Sequence, residues 1–492
     1  MNANGMIRPR PALGFCIAFA VLLGLIGFLL FANLGSMFIT DYDEARHGVN
    51  AYEMIRSGDY ILSTYQGAPD LWNLKPPLSF WLIATGYRLF GYNAFALRFF
   101  SALAALLSAA VIGLWAARRM GRMASLVALL AIAANATVYG LHFARFGDAD
   151  SQYQLFFTLA MLCLLLSDGD FRWLYGSGLF FGLAFLEKGT HAFTIPAVCL
   201  LTLCCAGRLR QLTLKRILLL LLSGAAFIAP WAILRYLRDG LTFFQAMIST
   251  DVVNRAGSTA DILGEGVSAP LYYLREIGNN PTLVICLALC ALSLLVLLVT
   301  RTRLTPAQKH AAIGAALWFL LPIALYCIAN AKYRWYIYSS LYAVPVLAGV
   351  LLTAAVRAQG WRKPLVASLT VAALCFSVFA TQNAIKVMNP ETHHAVQEFL
   401  RDQLDRDADS QVHAYIQYNE NQQTTWMQAS MLTALMYGDV VCMDGGVEAF
   451  LNDEESAILF IAKEANQEEI DQLLEMEPVR GENYYLIAFD KI

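Results

Sequence analysis

Nine consecutive positions, Thr40-Asp41-Tyr42-Asp43-Glu44-Ala45-Arg46-His47-Gly48, carry three carboxylates and a guanidinium directly after the first apolar run of the chain. Carboxylates beside a cation are candidates for general acid–base work, because the neighbour sets their ionisation and direction. A solvated, charged start to a loop would have the same composition. Farther along stands Trp72-Asn73-Leu74-Lys75-Pro76-Pro77. Its prolines keep Lys75 out of a helix interior and open the next segment stiffly. An ammonium held there suits a lipid phosphate, or serves as a snorkelling anchor. A second polar stretch, His142-Phe143-Ala144-Arg145-Phe146-Gly147-Asp148-Ala149-Asp150-Ser151, sets two carboxylates beside an apolar run that continues through Phe156 and Phe157. A carboxylate in such a place is costly unless paired or wetted, and Arg145 is the nearest cation in sequence.

The elements that position these residues follow from composition. Of 492 residues, 58% are hydrophobic and 15% charged, and the mean hydropathy is +0.52. Soluble domains carry about 25% charged residues, and one soluble core stops growing at about 250–300 residues. A large cytosolic enzyme, a disordered chain and a nucleic-acid binder are thereby excluded. Apolar runs long enough to cross a bilayer lie at 12–32, 94–117, 122–141, 151–167, 171–187, 190–206, 213–237, 281–300, 311–329, 335–356 and 363–383. The stretch 78–91 is short and interrupted by Arg88, which reads as an interfacial helix. The first run is too long, and followed by too many others, for a cleaved leader.

Charge separates the chain into two parts. Up to Asn383 there are 29 Lys/Arg and 16 Asp/Glu; from Ala384 onward there are 6 and 21. Positive charge in short loops sets orientation, so Arg8 and Arg10 place the N-terminus in the cytoplasm. Alternation of the spans puts both acidic loops and the C-terminal tail on the opposite face. The expected fold is mainly α: a polytopic transmembrane helical bundle of about eleven spans plus interfacial helices, with a small extracytoplasmic α/β domain. Residues 1–385 form the membrane body and 386–492 the soluble domain. In the latter, helices are expected at 391–404 and 464–475, and strands at Val412–Gln417, Val440–Cys442, Ala457–Ala462 and Tyr484–Phe489. Nine of ten cysteines fall in spans, so Cys442 has no disulfide partner in its own domain. The span interiors are almost free of ionisable residues, which weighs against an ion-coupled transporter.

Asp43-Glu44 after the first span, Lys75-Pro-Pro, Arg145 with Asp150 before Phe-Phe, and Lys188-Gly189 together resemble the GT-C membrane glycosyltransferases. The nearest groups are the bacterial protein O-mannosyltransferase-like enzymes and the aminoarabinose transferases of lipid A, and the resemblance runs over roughly residues 10–350. It implies an enzyme of the bacterial inner membrane that moves a sugar from a polyprenyl-phosphate carrier to a lipid, glycan or protein acceptor outside the cytoplasm. Carried over by position, Asp43 is the first-loop acid with Glu44 beside it, and Asp150 the second acid with Asp148 competing. Lys75 is the lysine for the carrier phosphate and Lys188 the Lys-Gly site. Asn254-Arg255 and Pro270-Leu271-Tyr272-Tyr273 resemble a later outer loop, in which Val267 stands where the family pattern has histidine. Lys332-Tyr333-Arg334 resembles a basic-aromatic entry to a late span.

That chemistry has clear demands. The leaving phosphate gains charge as the glycosidic bond breaks, and lysine or arginine at headgroup level stabilises it; Arg46, Arg145, Arg255 and Arg334 are the guanidinium candidates. The sugar becomes oxocarbenium-like. Asp43 is assigned as the base that takes the acceptor proton, with inversion at the anomeric carbon. Asp150 orients or polarises the acceptor, or holds a divalent cation with Asp43. Tyr65, Trp72, Tyr153, Tyr272, Tyr273, Tyr333, Trp335, Tyr336 and Tyr338 form an interfacial belt or stack on sugar. The competing readings are a flippase for a lipid-linked glycan, which needs a polar path through the bundle, and a non-catalytic assembly subunit.

Overall fold

In lipid every backbone polar group must be satisfied within its own segment, so the long apolar runs have to be helical. A computed structural model describes residues 13–250, 268–328, 332–358, 360–418, 423–463 and 486–491. Among these, eight helical segments are long and apolar enough to span: Leu13–Phe31, Ala94–Arg119, Trp173–Cys205, Leu214–Asp239, Pro281–Val299, Pro306–Ile328, Arg334–Ala355 and Arg362–Met388. Trp173–Cys205 absorbs two of the eleven expected runs, joined through a tight 3-10 turn at Gly189–Phe193. The two remaining runs are the shorter helices Arg122–Ala134 and Asp150–Leu166. All eleven runs are therefore helical, and the chain is a polytopic membrane bundle. Helix Leu214–Asp239 leaves Leu218, Leu221, Leu222 and Leu237 exposed, a surface suited to lipid rather than water.

The loop after the first span is built, not loose. Helix Asp43–Ser57 starts behind Tyr42, whose φ of 65° turns the chain sharply. It ends at Gly58 in the left-handed conformation, which glycine adopts without steric cost. A short hairpin pairs Thr64–Tyr65 with Ala68–Pro69. Helix Leu78–Phe90 then buries Phe80, Ile83, Ala84 and Tyr87 on one face, while Leu89 and Phe90 stay exposed. At 13 residues it is too short to span, in keeping with the interfacial expectation.

The tail carries a four-stranded sheet in the order Val441–Cys442, His413–Gln417, Ala457–Ala462, Leu486–Lys491. The first three strands are parallel and the last antiparallel, with Leu459 opposite Phe489. All six residues of Ala457–Ala462 are buried, as expected of a central strand covered on both faces. Helix Ala395–Gln403 matches the expected one, whereas helices Gln428–Gly438 and Gly446–Asn452 were not expected. The expected helix at 464–475 and the first two residues of the expected last strand lie outside the described residues.

This domain docks on the helix that carries the first-loop acids. The Gln397 side chain bonds both the N–H and the carbonyl of Ile39 at 2.8 Å, and the Ala429 N–H donates to Asp41 at 2.8 Å. Asp439 gathers Tyr52 and Arg56 from the far end of helix Asp43–Ser57. Between those ends Leu432 presses on Gly48, where a Cβ would stand 2.3 Å from the Leu432 Cδ2. A side chain at position 48 would have to push the Leu432 methyls aside.

Candidate functional site

Three carboxylates and three cationic or titratable partners meet at the end of the bundle that faces the tail domain. Asp43 stands at the first turn of its helix, and its Oδ1 accepts from the Lys75 ammonium at 2.9 Å. The two prolines after Lys75 start helix Leu78–Phe90 and leave Lys75 on an extended segment that reaches back to Asp43. Asp148, in the turn before helix Asp150–Leu166, bonds His142 Nδ1 at 2.6 Å. The same nitrogen lies 3.6 Å from the Asp43 Oδ2, which ties the first-loop and second-loop acids together. Asp150 opens its helix and accepts from Lys188, at the last turn of helix Trp173–Lys188. Asp150 remains within electrostatic reach of Lys75 and His142.

The charges hold one another. Burial pushes the Asp43 carboxyl up, but Lys75 together with His47 and His142 outweighs it and holds the group below the usual carboxylate range. Burial would strip the Lys75 proton, and Asp43 with Asp148 instead keeps the ammonium above its ordinary value. For Asp148, burial is outweighed by the hydrogen bond and charge of His142, so it stays ionised far below its ordinary value. His142 is raised in turn: burial lowers it, and Asp148 and Asp43 more than compensate.

Two residues at this centre were not among the sequence candidates. His142 is one; its ring stacks on Trp335, centroids 4.0 Å apart. The other is His47, one helical turn after Asp43, fully buried against Phe80. Its Nδ1 donates to the Asp43 carbonyl, its Nε2 has no partner, and burial followed by Lys75 lowers it to about 4, so it is neutral. The i, i+4 spacing of Asp43 and His47 was a readable signal for a shared helix face. No spacing pointed to the contact of His142 with Trp335, which are far apart in sequence.

Several sequence candidates lie elsewhere, for physical reasons. Glu44, expected beside the catalytic acid, is buried and already saturated. It accepts from Arg98 Nε at 2.7 Å and Nη2 at 3.0 Å, from the Thr40 N–H and hydroxyl at 2.9 Å each, and from the Gly147 N–H at 2.9 Å. With no oxygen left for a substrate it is a strut joining two loops. Arg46, expected to tune Asp43, instead forms a two-bond fork with Asp70 at 2.9 Å and lies over Tyr65 and Trp72. Arg145, the nearest cation in sequence to the second-loop acids, turns away from them. It donates to the carbonyls of Leu29 and Leu30 at 3.0 and 3.1 Å, capping the first span. Tyr273 is buried with Tyr272 and Ile337. Lys332 and Arg334 flank the aromatic segment that supplies Trp335, Lys332 half-buried and Arg334 exposed. Arg255 and Val267 fall outside the described residues.

Among the described residues, the group whose ligand atoms lie within 4.8 Å of one another is Asp43, His142 and Asp148; Asp150, expected as a cation ligand beside Asp43, is not part of it. Lys75 already stands where the counter-charge of an ion would be, and the His142–Asp148 hydrogen bond uses a further ligand atom on each side. The trio is a cluster closed by the chain's own cations and does not fit a resident divalent ion.

Comparison with known proteins agrees with this architecture. Residues 74–234 match the family described as dolichyl-phosphate-mannose-protein mannosyltransferase. An undecaprenyl phosphate-alpha-4-amino-4-deoxy-L-arabinose arabinosyl transferase of Aeromonas hydrophila is 33% identical over 209 residues, 40% of this chain and 37% of that protein. One from Pseudomonas aeruginosa is 26% identical over 353 residues, 68% and 61% of the two chains. The matched stretch thus spans well under half the length of the Aeromonas relative. The structure of ArnT from Cupriavidus metallidurans bound to undecaprenyl phosphate superposes with a TM-score of 0.72 at 17% identity, covering 98% of this chain and 99% of that one. The Archaeoglobus fulgidus oligosaccharyltransferase follows at a TM-score of 0.54, 12% identity, and 87% and 64% coverage.

Proposed function

On a chain with the fold of the membrane glycosyltransferases, we propose that this protein transfers a sugar from a polyprenyl-phosphate carrier to an acceptor at the non-cytoplasmic face of a bacterial inner membrane. The N-terminus is cytoplasmic and the tail domain lies outside, as the positive charge of the short loops requires. The observation that carries the reading is the convergence of Lys75, Asp43, Asp148 and Asp150, from separate loops, at one end of an apolar bundle. An outward-facing transferase has no nucleotide sugar at hand, so its donor must be anchored in lipid. The named relatives act on an undecaprenyl phosphate-linked aminopentose; a pentosyl donor of that kind is the first one to test here.

The site supplies what such a donor needs. An apolar groove of about 790 Å³ runs between helices Trp173–Lys188, Thr194–Cys205 and Leu214–Asp239, from Leu174 to Phe185 and Phe193. It ends within a turn of Lys188, a course suited to an isoprenoid tail. Lys75 and Lys188 offer ammonium groups to the phosphate as its charge grows. Asp43 and Asp150 face the sugar and the incoming acceptor, and the proton of the acceptor hydroxyl passes to a group of this cluster. Attack from the side opposite the phosphate inverts the anomeric carbon.

The test is release of undecaprenyl phosphate from undecaprenyl phosphate-4-amino-4-deoxy-L-arabinose by the full chain in lipid nanodiscs, with lipid A as the acceptor offered. Asp43→Asn, which removes the carboxylate charge beside the sugar, is expected to slow release, and Lys75→Ala to weaken donor binding. Full activity of both variants refutes the assignment. Transbilayer movement of the donor without release favours the flippase reading.

A further inference from the structure

Asp43 is the obvious base by position, yet its carboxylate is bound to the Lys75 ammonium and held below its ordinary range. A carboxylate of lowered pKa accepts a proton weakly. The same cluster contains a group better suited. We propose that His142, oriented by Asp148 and stacked on Trp335, takes the proton of the acceptor hydroxyl at its Nε2. The inference rests on the transferase reading and names the proton acceptor that the reading leaves open.

The geometry has three parts. His142 Nδ1 is 2.6 Å from Asp148 Oδ2, so the ionised carboxylate fixes the proton on Nδ1 and leaves the Nε2 lone pair free. Asp148 is held in turn: it is buried, and its Oδ1 accepts from the Ala149 N–H at 2.6 Å. Trp335 lies against the ring with planes inclined by 31°, which sets where Nε2 points. The imidazole keeps 14% of its side-chain surface exposed, and its Nε2 is not buried. The free nitrogen is therefore accessible rather than enclosed. His47, by contrast, is fully buried and cannot present its own Nε2 to a substrate.

The step balances. The acceptor oxygen forms its bond to the anomeric carbon as the carbon–oxygen bond to phosphate breaks, and that electron pair leaves with the polyprenyl phosphate. The hydroxyl proton moves to His142 Nε2, and the imidazolium is stabilised by Asp148 until it yields the proton to water. The charged groups facing the ring are Asp148 and Asp150 from the second loop and Asp43 from the first, with Lys75 and His47 behind Asp43; Trp335 covers it from the late segment. The three carboxylates raise the histidine, so the neutral, proton-accepting form should be reached above pH 6.5.

Two measurements on the full chain in nanodiscs test this. In ¹⁵N-histidine NMR, with His142→Gln used to identify the signal, His142 is expected to carry its proton on Nδ1 and to titrate above 6.5. Asp148→Asn should bring that titration down by about one unit or more. In undecaprenyl phosphate release from the aminopentose donor, the rate should rise with pH through the same value. His142→Gln should slow it by about 10²–10⁴-fold and abolish that inflection. Asp148→Asn should shift the inflection downward in step with the NMR. A wild-type pH profile in His142→Gln, or an Nε2-protonated ring, overturns this inference and leaves the transferase reading standing. Absence of release by the wild-type protein ends both.

Discussion

Replacing Glu44 with Gln separates a strut from a catalyst. Glu44 is 2% exposed and receives five hydrogen bonds, two of them from the fully buried Arg98. The amide keeps the shape but removes the charge that Arg98 needs. Breaking one side of a buried ion pair costs about 3–5 kcal/mol. Arg98 also donates to the carbonyls of Leu34, Met37 and Phe38, so it cannot swing out to water without freeing the chain between the first span and Asp43. Glu44→Leu with Arg98→Met should recover most of the loss, since removing both charges from a buried site is often near neutral. Chemical unfolding in mixed micelles gives the free energies. The pH dependence has a definite sign. Burial raises the Glu44 carboxyl, Arg98 lowers it further, and the native group titrates below the ordinary carboxylate value. Its stabilisation is therefore present above about pH 4.3 and is lost as the pH falls through the depressed native value. The difference between wild type and Glu44→Gln should be complete at pH 7 and shrink in acid. A Glu44→Gln protein as stable as wild type but unable to release polyprenyl phosphate would make Glu44 a reacting group and refute the strut.

Three further outcomes follow from contacts already described. Gly48→Val pushes against Leu432 and should cost about 1–3 kcal/mol and expose the tail domain to faster proteolysis; Leu432→Ala should relieve it. A chelator should leave donor turnover within about twofold, because Lys75 and His142 already balance Asp43 and Asp148; a rate that collapses and returns with a divalent ion would show that the cluster opens to metal. Arg46→Lys loses the fork to Asp70 and should lower the unfolding midpoint while keeping donor affinity within about threefold. A loss beyond about tenfold would return Arg46 to the phosphate.

The sequence carried the bundle because lipid leaves few choices. Apolar runs of sufficient length must be helices, and all eleven are. It carried Asp43, Lys75, Asp148 and Asp150 because each sits beside a sharp local signal: the end of an apolar run, a proline pair, or the start of the next run; Lys188 came only with the family resemblance. The pairings were less legible. Arg145 is nearest to the second-loop acids along the chain, yet the open carbonyls at the end of helix Leu13–Phe31 claim it. Lys188, 38 residues away from Asp150, is the real partner. Glu44 shows the same limit in another form: adjacency to Asp43 put it on the candidate list, but one step along a helix turns a side chain by about 100°, here away from the cluster and onto Arg98. Helix Gln428–Gly438 went unseen because it is buried almost all round, which leaves no amphipathic period to read.

Lys75 and Asp43 also place a constraint on how a donor enters. Each carboxylate of the cluster already has its own partner: Lys75 on Asp43, His142 on Asp148, Lys188 on Asp150. An arriving phosphate that recruits a lysine competes with the carboxylate for it, and what the phosphate gains the carboxylate loses. Asp43 keeps 23% of its side chain exposed and is the member able to give up its partner to solvent or sugar, whereas Asp148 and Asp150 are buried. Phosphate capture by Lys75 would therefore loosen Asp43 and raise its carboxyl toward the ordinary range, leaving it as an acceptor for the positive charge that develops on the sugar. His142 stays neutral-capable throughout because its partner Asp148 does not depend on Lys75 for its position. In the proposed reaction Asp43 and Asp148 would thus divide the work by burial: the exposed Asp43 would answer the donor, and the enclosed Asp148 would hold the histidine for the acceptor.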